Sequence, residues 1–449
     1  MSVSPGSRPT AECFRFGEFR FDPSSGEALL GYAFDDGEPM VERIRFPHAP
    51  WPQEPSRQAA FVQALGLLHL VAGVSYYKAC VPARLETGVH AIDPELASFL
   101  RALYVRGLGE FAWVNGLALE ECVHFDITTA AGPRPGPLEL PERALVAMGG
   151  GKDSLVSLEL LRQGGLEVQP VCVGASGLIA ETVAAAGLPL IRIDRTLAPE
   201  LAELNAAGAW NGHVPVTAIN SAILLCAALL YGFRWVVFSN EHSASEATLT
   251  DPAGRSINHQ YSKSYEFELA LHSLVHRRIS PGLDYFSLLR PLGELAVARR
   301  FSHLHRYHAV FSSCNRHFHQ EGPRVRERWC GDCPKCRFTT LALAVFMPED
   351  EVRQIIGHDL LADPGQEPGF RALCALGVDK PFECVGTVDE SRAALAELAC
   401  RPGWKDKPLV RTLSAELRGL HVPPLAELLQ SVAEHRVPKG VLAHVDFGA

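Results

Sequence analysis

The segment Ala147-Met148-Gly149-Gly150-Gly151-Lys152-Asp153-Ser154-Leu155 constrains this chain more than any other. It stands between an apolar run, Arg143–Met148, and a stretch with helical spacing, Ser154–Gln163. Three consecutive glycines let the backbone take conformations closed to other residues, so its N–H groups can converge on one point. The helix that follows adds its positive end, and the combination favours an anion. Ser154 supplies a hydroxyl and Lys152 a charge. Asp153 would repel phosphate unless a magnesium ion lay between them, which points to a metal-bound nucleotide. Two familiar phosphate loops fail on spacing. The Walker loop needs Ser or Thr directly after its lysine, and the dinucleotide fingerprint needs G-x-G-x-x-G. A tight strand-to-helix turn without a ligand is the bland alternative.

The periodicity around this loop predicts an α/β fold. Val168–Val173, Leu188–Ile193 and Trp235–Ser239 are further apolar runs, while Leu178–Ala186 and Thr217–Tyr231 have helical spacing. Strand–helix–strand alternation implies a parallel sheet with helices on both faces, and ligands bound at the carboxyl ends of its strands. Upstream, Cys13–Phe21, Ala28–Phe34 and Met40–Phe46 read as strands of an antiparallel meander, followed by helical patterns at Arg57–Val71 and Pro94–Val105. Ala131–Pro137, rich in proline and glycine, reads as a linker. Beyond Met347 the chain is rich in Ala, Leu and Glu and reads as helical. The expected division is an N-terminal α+β domain over 1–140, an ATP-binding domain over 141–345 and a helical region over 346–449.

A second constellation lies downstream. Cys330, Cys333 and Cys336 stand at two-residue gaps, with Cys314 sixteen positions before the first of them. Four thiolates can close a tetrahedral metal site, and C-x-x-C lets one turn put two sulfurs on one ion. Structural zinc is the leading expectation, with an iron–sulfur cluster as its rival. The remaining cysteines of the twelve are scattered, which fits a reducing, cytoplasmic setting. A formal net charge of −9 argues against a general nucleic-acid binder. The longest apolar run, Val216–Phe233, is broken by Asn220 and Ser221 and reads as a buried helix rather than a membrane span.

Gly149–Ser154 resembles the S-G-G-x-D-S loop of the PP-loop ATP pyrophosphatases, whose central domain is HUP-like, with Gly149 where that family usually has serine. The cysteine pattern is similar to the zinc knuckle of the 7-cyano-7-deazaguanine synthases, also PP-loop enzymes. The opening motifs Phe14–Phe21, Gly31–Gly37 and Glu42–Pro47 look like those of the MurL family, the UDP-N-acetylmuramoyl-L-alanyl-L-glutamate epimerases. Together these resemblances cover nearly the whole chain. They imply ATP and Mg²⁺ as cofactors, a UDP-MurNAc-dipeptide as substrate, and nucleotide contacts from Gly149, Gly150, Gly151, Lys152, Asp153 and Ser154, with Lys152 and Asp153 also catalytic. Asp194 is a candidate for the ribose or magnesium. Epimerisation needs proton transfer on two faces of one carbon. Glu241 and His242, just after the strand Trp235–Ser239, are the leading pair; His213, His259 and Lys263 are further candidates. Seven arginines and five histidines between Arg299 and Arg328 suggest a docking surface for phosphates and carboxylates. A solvated helix face or a tRNA contact would give the same pattern. A PP-loop synthetase acting on a nucleobase and a non-catalytic nucleotide-binding adaptor are the competing functions.

Overall fold

The computed structural model describes residues 8–130, 135–245, 249–250, 256–258, 260–317, 327–381, 383 and 385–448. Its strands are β1 (Cys13–Asp22), β2 (Glu27–Phe34), β3 (Met40–Arg45), β4 (Arg84–Glu86), β5 (Arg143–Ala147), β6 (Glu167–Val173), β7 (Ile191–Thr196), β8 (Trp235–Phe238), β9 (Leu249–Thr250), β10 (Ser256–Ile257) and β11 (Asp284–Ser287). Nine of them form one mixed sheet in the order β11-β8-β5-β6-β7-β3-β2-β1-β4, and β9 and β10 form a separate two-stranded ribbon.

The expected meander is present: β1 pairs antiparallel with β2, and β2 with β3. It does not stand apart from the parallel strands. Arg43–Arg45 of β3 pair antiparallel with Asp194–Thr196 of β7, so the meander extends the edge of the parallel sheet. Glu42 and Arg195 reinforce this seam, with the carboxylate fully buried and Arg195 Nε donating to Glu42 Oε1 at 2.7 Å. Within β5–β8 and β11 every neighbouring pair is parallel.

Successive residues of a strand point to opposite faces, and both faces are covered. Leu145 belongs to one core with the helices Pro55–Ala72 and Val216–Tyr231, whereas Ala144 and Val146 belong to another with Lys152–Gln163, Glu294–Ser302 and Pro334–Ala344. The C-terminal helices Glu349–Ile356, Val388–Leu398 and Pro408–Glu416 join this second core. Each fully buried leucine contributes roughly 1.5–3 kcal/mol, so two such cores suffice for a chain of this length. The stretch Pro55–Tyr77 is apolar and long enough to cross a membrane, yet 83% of its most apolar window is buried inside the protein. Its apolar character all round follows from being covered over most of its surface.

One strand is displaced from its expected position. The apolar run Leu188–Ile193 predicts a strand there, but β7 spans Ile191–Thr196. Pro189 has no N–H to give a ladder and its carbonyl instead accepts from the Gln169 amide at 2.8 Å. Of the expected linker, residues 131–134 lie outside the described residues.

Candidate functional site

A cavity of about 280 Å³ opens at the carboxyl ends of β5, β6 and β8. The chain runs from β5 outward through β6 to β7, then crosses back to place β8 on the other side of β5. Crevices in open α/β sheets form at such reversals of strand order. The wall includes Ala147–Gly149, Val171–Val173 and Phe238–Asn240 from the strand ends, together with Gly151, Asp153 and Ser154.

The glycine loop is fitted to this place by packing as well as by conformation. Gly150 has a φ of +77°, a region costly for L side chains. A Cβ on Gly151 would sit 2.9 Å from Ser313 Oγ, whereas one on Gly149 would meet nothing within 4 Å. Gly151 is also the N-cap of the helix Lys152–Gln163 and offers no side chain to its first N–H groups. Ser154 Oγ donates to Gly151 O at 3.1 Å and accepts from Gly149 N at 3.4 Å, so it braces the loop.

Two further helices begin at this cavity. Thr217 and Lys335, the second residues of Val216–Tyr231 and Pro334–Ala344, lie on its wall, as does Asp153, the second residue of Lys152–Gln163. The first turns of three helices thus contribute to the wall: Val216–Tyr231 lies along it with Thr217, Asn220 and Leu224, Pro334–Ala344 adds Lys335, and Lys152–Gln163 starts at the glycine loop with its positive end uncapped by any side chain. Asn220, Ser312, Ser313 and Lys263 complete the polar wall, and Met148, Val171, Leu224 and Phe238 the apolar one. Sequence reasoning noted Asn220 only as a break in an apolar run, and it missed Lys335, Ser312 and Ser313. The adjacency of Lys335 to two cysteines was the available signal.

Other sequence-based candidates fall elsewhere. Lys152 does not line the cavity: its ammonium is buried between Asp153 Oδ1, at 2.5 Å, and Glu294. Burial opposes its charge, but Asp153 and Glu294 outweigh burial and hold it above the ordinary lysine value. Two more carboxylates, Glu241 and Glu390, crowd this ion pair. Burial, with Asp153 and Glu241 adding to it against the pull of Lys152, pushes Glu294 up to about 7. Burial and Glu294 push Glu390 up to about 6. Burial and Glu390 also raise Glu241, although Ser243 and Ala244 N–H hydrogen bonds to its carboxylate counter this. Glu241 thus caps its own turn, one residue beyond the wall, while His242 is exposed. Asp194 sits inside β7 on the seam with β3, paired with Arg192 and away from the cavity. His213 lies 3.6 Å from Glu110 and is also off the wall. His259 lies outside the described residues.

Arg290 was not anticipated. Fully buried, it bonds Glu268 Oε2 at 2.9 Å and donates to the carbonyls of Glu241 (2.7 Å) and Lys263 (2.8 Å), so it fastens both loops beside the cavity. In the arginine-rich stretch, Arg328 donates to Val310 O and Glu181, and Arg316 to Asp332. These residues hold the fold around the cysteines; residues 318–326 lie outside the described ones.

Cys314, Cys330, Cys333 and Cys336 do come together, with all four sulfurs within 4.8 Å of one another. The close pairs are 3.4, 3.7 and 4.0 Å apart. A tetrahedron with zinc–sulfur bonds of about 2.3 Å has edges of about 3.8 Å. Backbone N–H groups of Asp332 and Cys336 point to Cys330 and Cys333 sulfurs at 3.4 Å, as suits thiolates. The set can hold a metal such as zinc. Ser312 ties it to the glycine loop: its N–H donates to Gly150 O at 3.2 Å and its Oγ accepts from Cys314 N at 3.1 Å.

Fold and site together define an α/β protein with a glycine-loop cavity at a parallel-sheet switch point, buttressed by a four-cysteine cluster able to hold a metal. Residues 6–288 match the MurL N-terminal domain and residues 310–426 the MurL C-terminal domain. The chain belongs to the MurL family. It is 47% identical over 438 residues to the UDP-N-acetyl-alpha-D-muramoyl-L-alanyl-L-glutamate epimerase of Xanthomonas oryzae pv. oryzae (strain MAFF 311018), covering 96% of each chain. It is 44% identical over 408 residues to the protein of the same name from Salinispora tropica, covering 90% of this chain and 88% of the relative.

Proposed function

We propose that this protein epimerises the terminal L-glutamate of UDP-MurNAc-L-Ala-L-Glu to D-glutamate in the cytoplasm, during peptidoglycan precursor synthesis, using ATP to form a carboxyl-adenylate. The relatives' names support the substrate and the epimerisation. The uncapped start of the helix Lys152–Gln163 at the glycine loop, with Lys335 and Lys263 on the same wall, carries the nucleotide part of the reading, because together they suit a polyanion.

The chemistry explains why an epimerase would consume ATP. Removing an α-proton beside a free carboxylate would create a dianion. In the adenylation step a glutamate carboxylate oxygen bonds to the α-phosphorus of ATP, and the bond to the bridging oxygen of pyrophosphate breaks. The acyl carbon is then ester-like, and the electron pair left by the departing α-proton delocalises as an enolate. A proton arrives on the other face. Water then cleaves the acyl-adenylate to AMP and the D-glutamyl product.

Gly149–Ser154 would hold the phosphates, with Lys335, Ser312 and Ser313 at the same wall. Magnesium bound with ATP would offset the phosphate charge, and Asp153 is the wall carboxylate suited to it. The apolar strip of Met148, Val171, Leu224 and Phe238 suits the adenine ring. For the proton exchange, Lys263 reaches the wall, while Glu241 and His242 follow directly on the wall residues Ser239 and Asn240. The closed four-thiolate set would hold zinc in a structural role.

The test combines substrate-dependent pyrophosphate release, with the L-Glu and D-Glu dipeptides, and deuterium uptake at the glutamate α-carbon in heavy water. Asp153→Asn should cut AMP formation at least about 100-fold, with the fold retained by circular dichroism. Formation of ADP, or epimerisation without deuterium uptake, would refute the mechanism.

A further inference from the structure

We propose that His272, His276 and Asp284 form a binding site for one transition-metal ion of the zinc class, separate from the four-cysteine cluster. The helix Tyr265–Leu274 passes into a π-helical turn, Val275–Ile279, closed by Ser280 N donating to Val275 O at 2.9 Å. Such turns are rare and concentrate at functional sites. His272 and His276, four residues apart, share one face across this junction, and Asp284 opens β11 opposite them.

A ligand atom from each of the three side chains lies within 4.8 Å of the other two. His276 Nε2 and Asp284 Oδ1 are 3.0 Å apart. A tetrahedral ion with ligands at about 2.0 Å needs an edge of about 3.3 Å, so this pair is close to chelating distance already. His272 Nδ1 is 3.4 Å from Tyr285 O. Donating a proton there fixes the tautomer and leaves the Nε2 lone pair for a metal, the arrangement in which metal-binding histidines are held. His276 and Asp284 share a hydrogen bond and the His272 ring packs on that of His276 with centroids 4.0 Å apart, which brings a third ligand atom within reach of the other two.

The donor set also selects the ion. Magnesium and calcium demand oxygen ligands and negative charge. Here two imidazoles accompany a single carboxylate, and Arg234 Nε stands 4.0 Å from Asp284 Oδ2. Imidazole-preferring ions such as Zn(II), Co(II) or Ni(II) fit instead, with a further coordination position open to water. The site lies behind the cavity wall. Glu268, one turn before His272 on the same helix, holds Arg290, and Ser287 of β11 accepts from Asn240 Nδ2 at 2.9 Å. An ion here pins that helix to the strand on which the wall rests.

Full-length protein, stripped with chelator under reducing conditions, is dialysed against Zn(II) or Co(II) and its metal content measured. Wild type should bind one equivalent more than His272→Ala, His276→Ala or Asp284→Asn. The near-ultraviolet thiolate-to-cobalt band should persist in all three, showing that they remain folded, while wild type alone keeps the additional cobalt d–d absorption. Equal metal content in wild type and variants, or no added absorption in wild type, overturns the assignment.

Discussion

Three adjacent glycines have three different reasons to be glycine. Gly150 needs its positive φ, and Gly151 must leave room for Ser313 Oγ, whereas Gly149 faces open space. Gly150→Ala should therefore cost about 1–2 kcal/mol in chemical denaturation. Gly149→Ser should cost no more than about 0.5 kcal/mol, because an added side chain meets nothing there. A loss at Gly149 as large as that at Gly150 would contradict this geometry. The open space also leaves room for the serine that stands at this position in the S-G-G-x-D-S loops it resembles. Lys152 shows where residue-level reading ends. Motif logic sends its charge to a phosphate, but Glu294, 142 positions away, draws it inward. Asp194 fails for a similar reason: the meander strand β3, remote in sequence, covers the edge where it lies.

At the scale of elements, the cysteine cluster and the glycine-loop cavity are one construction. Cys333 caps the helix Pro334–Ala344, its side chain accepting from Cys336 N, and this sets Lys335 on the cavity wall. Two substitutions separate the roles. Cys333→Ser should release metal, lower the melting temperature and raise the KM for ATP. Lys335→Ala should keep metal and melting temperature but raise that KM roughly tenfold to a hundredfold, from the loss of a charged hydrogen bond worth about 1.5–3 kcal/mol. Metal analysis alongside pyrophosphate-release kinetics distinguishes the two. An unchanged KM in Lys335→Ala would take this lysine out of the proposed phosphate site.

The whole molecule gathers Glu241, Glu294 and Glu390 from three remote segments around Lys152. Glu390 belongs to the C-terminal region: it completes a capping box with Thr387 and accepts from Leu295 N at 3.1 Å. Its acid stays protonated to about pH 6 in the fold. A raised carboxyl pKa means that the folded state holds the proton more tightly than the unfolded chain. Its contribution to stability therefore falls as pH rises from about 4.5 to 6. A shift of this size corresponds to about 2 kcal/mol. Across pH 4.5–7, Glu390→Gln should accordingly gain stability relative to wild type as pH increases. A difference in unfolding free energy that is flat with pH would show that Glu390 ionises normally.

By itself the sequence determined the meander, the strand–glycine–helix unit and the four sulfur ligands. Each rests on residues within a few positions of one another, where backbone conformation and side-chain alternation are set locally. Cys314 is the exception: sixteen positions before the nearest of the other three, it is brought to them by the fold. Only the tertiary structure decided that the meander continues the parallel sheet, that the first turns of three helices contribute to one cavity wall, and that Lys152 is buried while Lys335 reaches the wall. It also set Arg290 between two loops and His272 and His276 against Asp284. Those outcomes depend on which distant strands pair and which faces they bury, and near-neighbour chemistry carries no record of that.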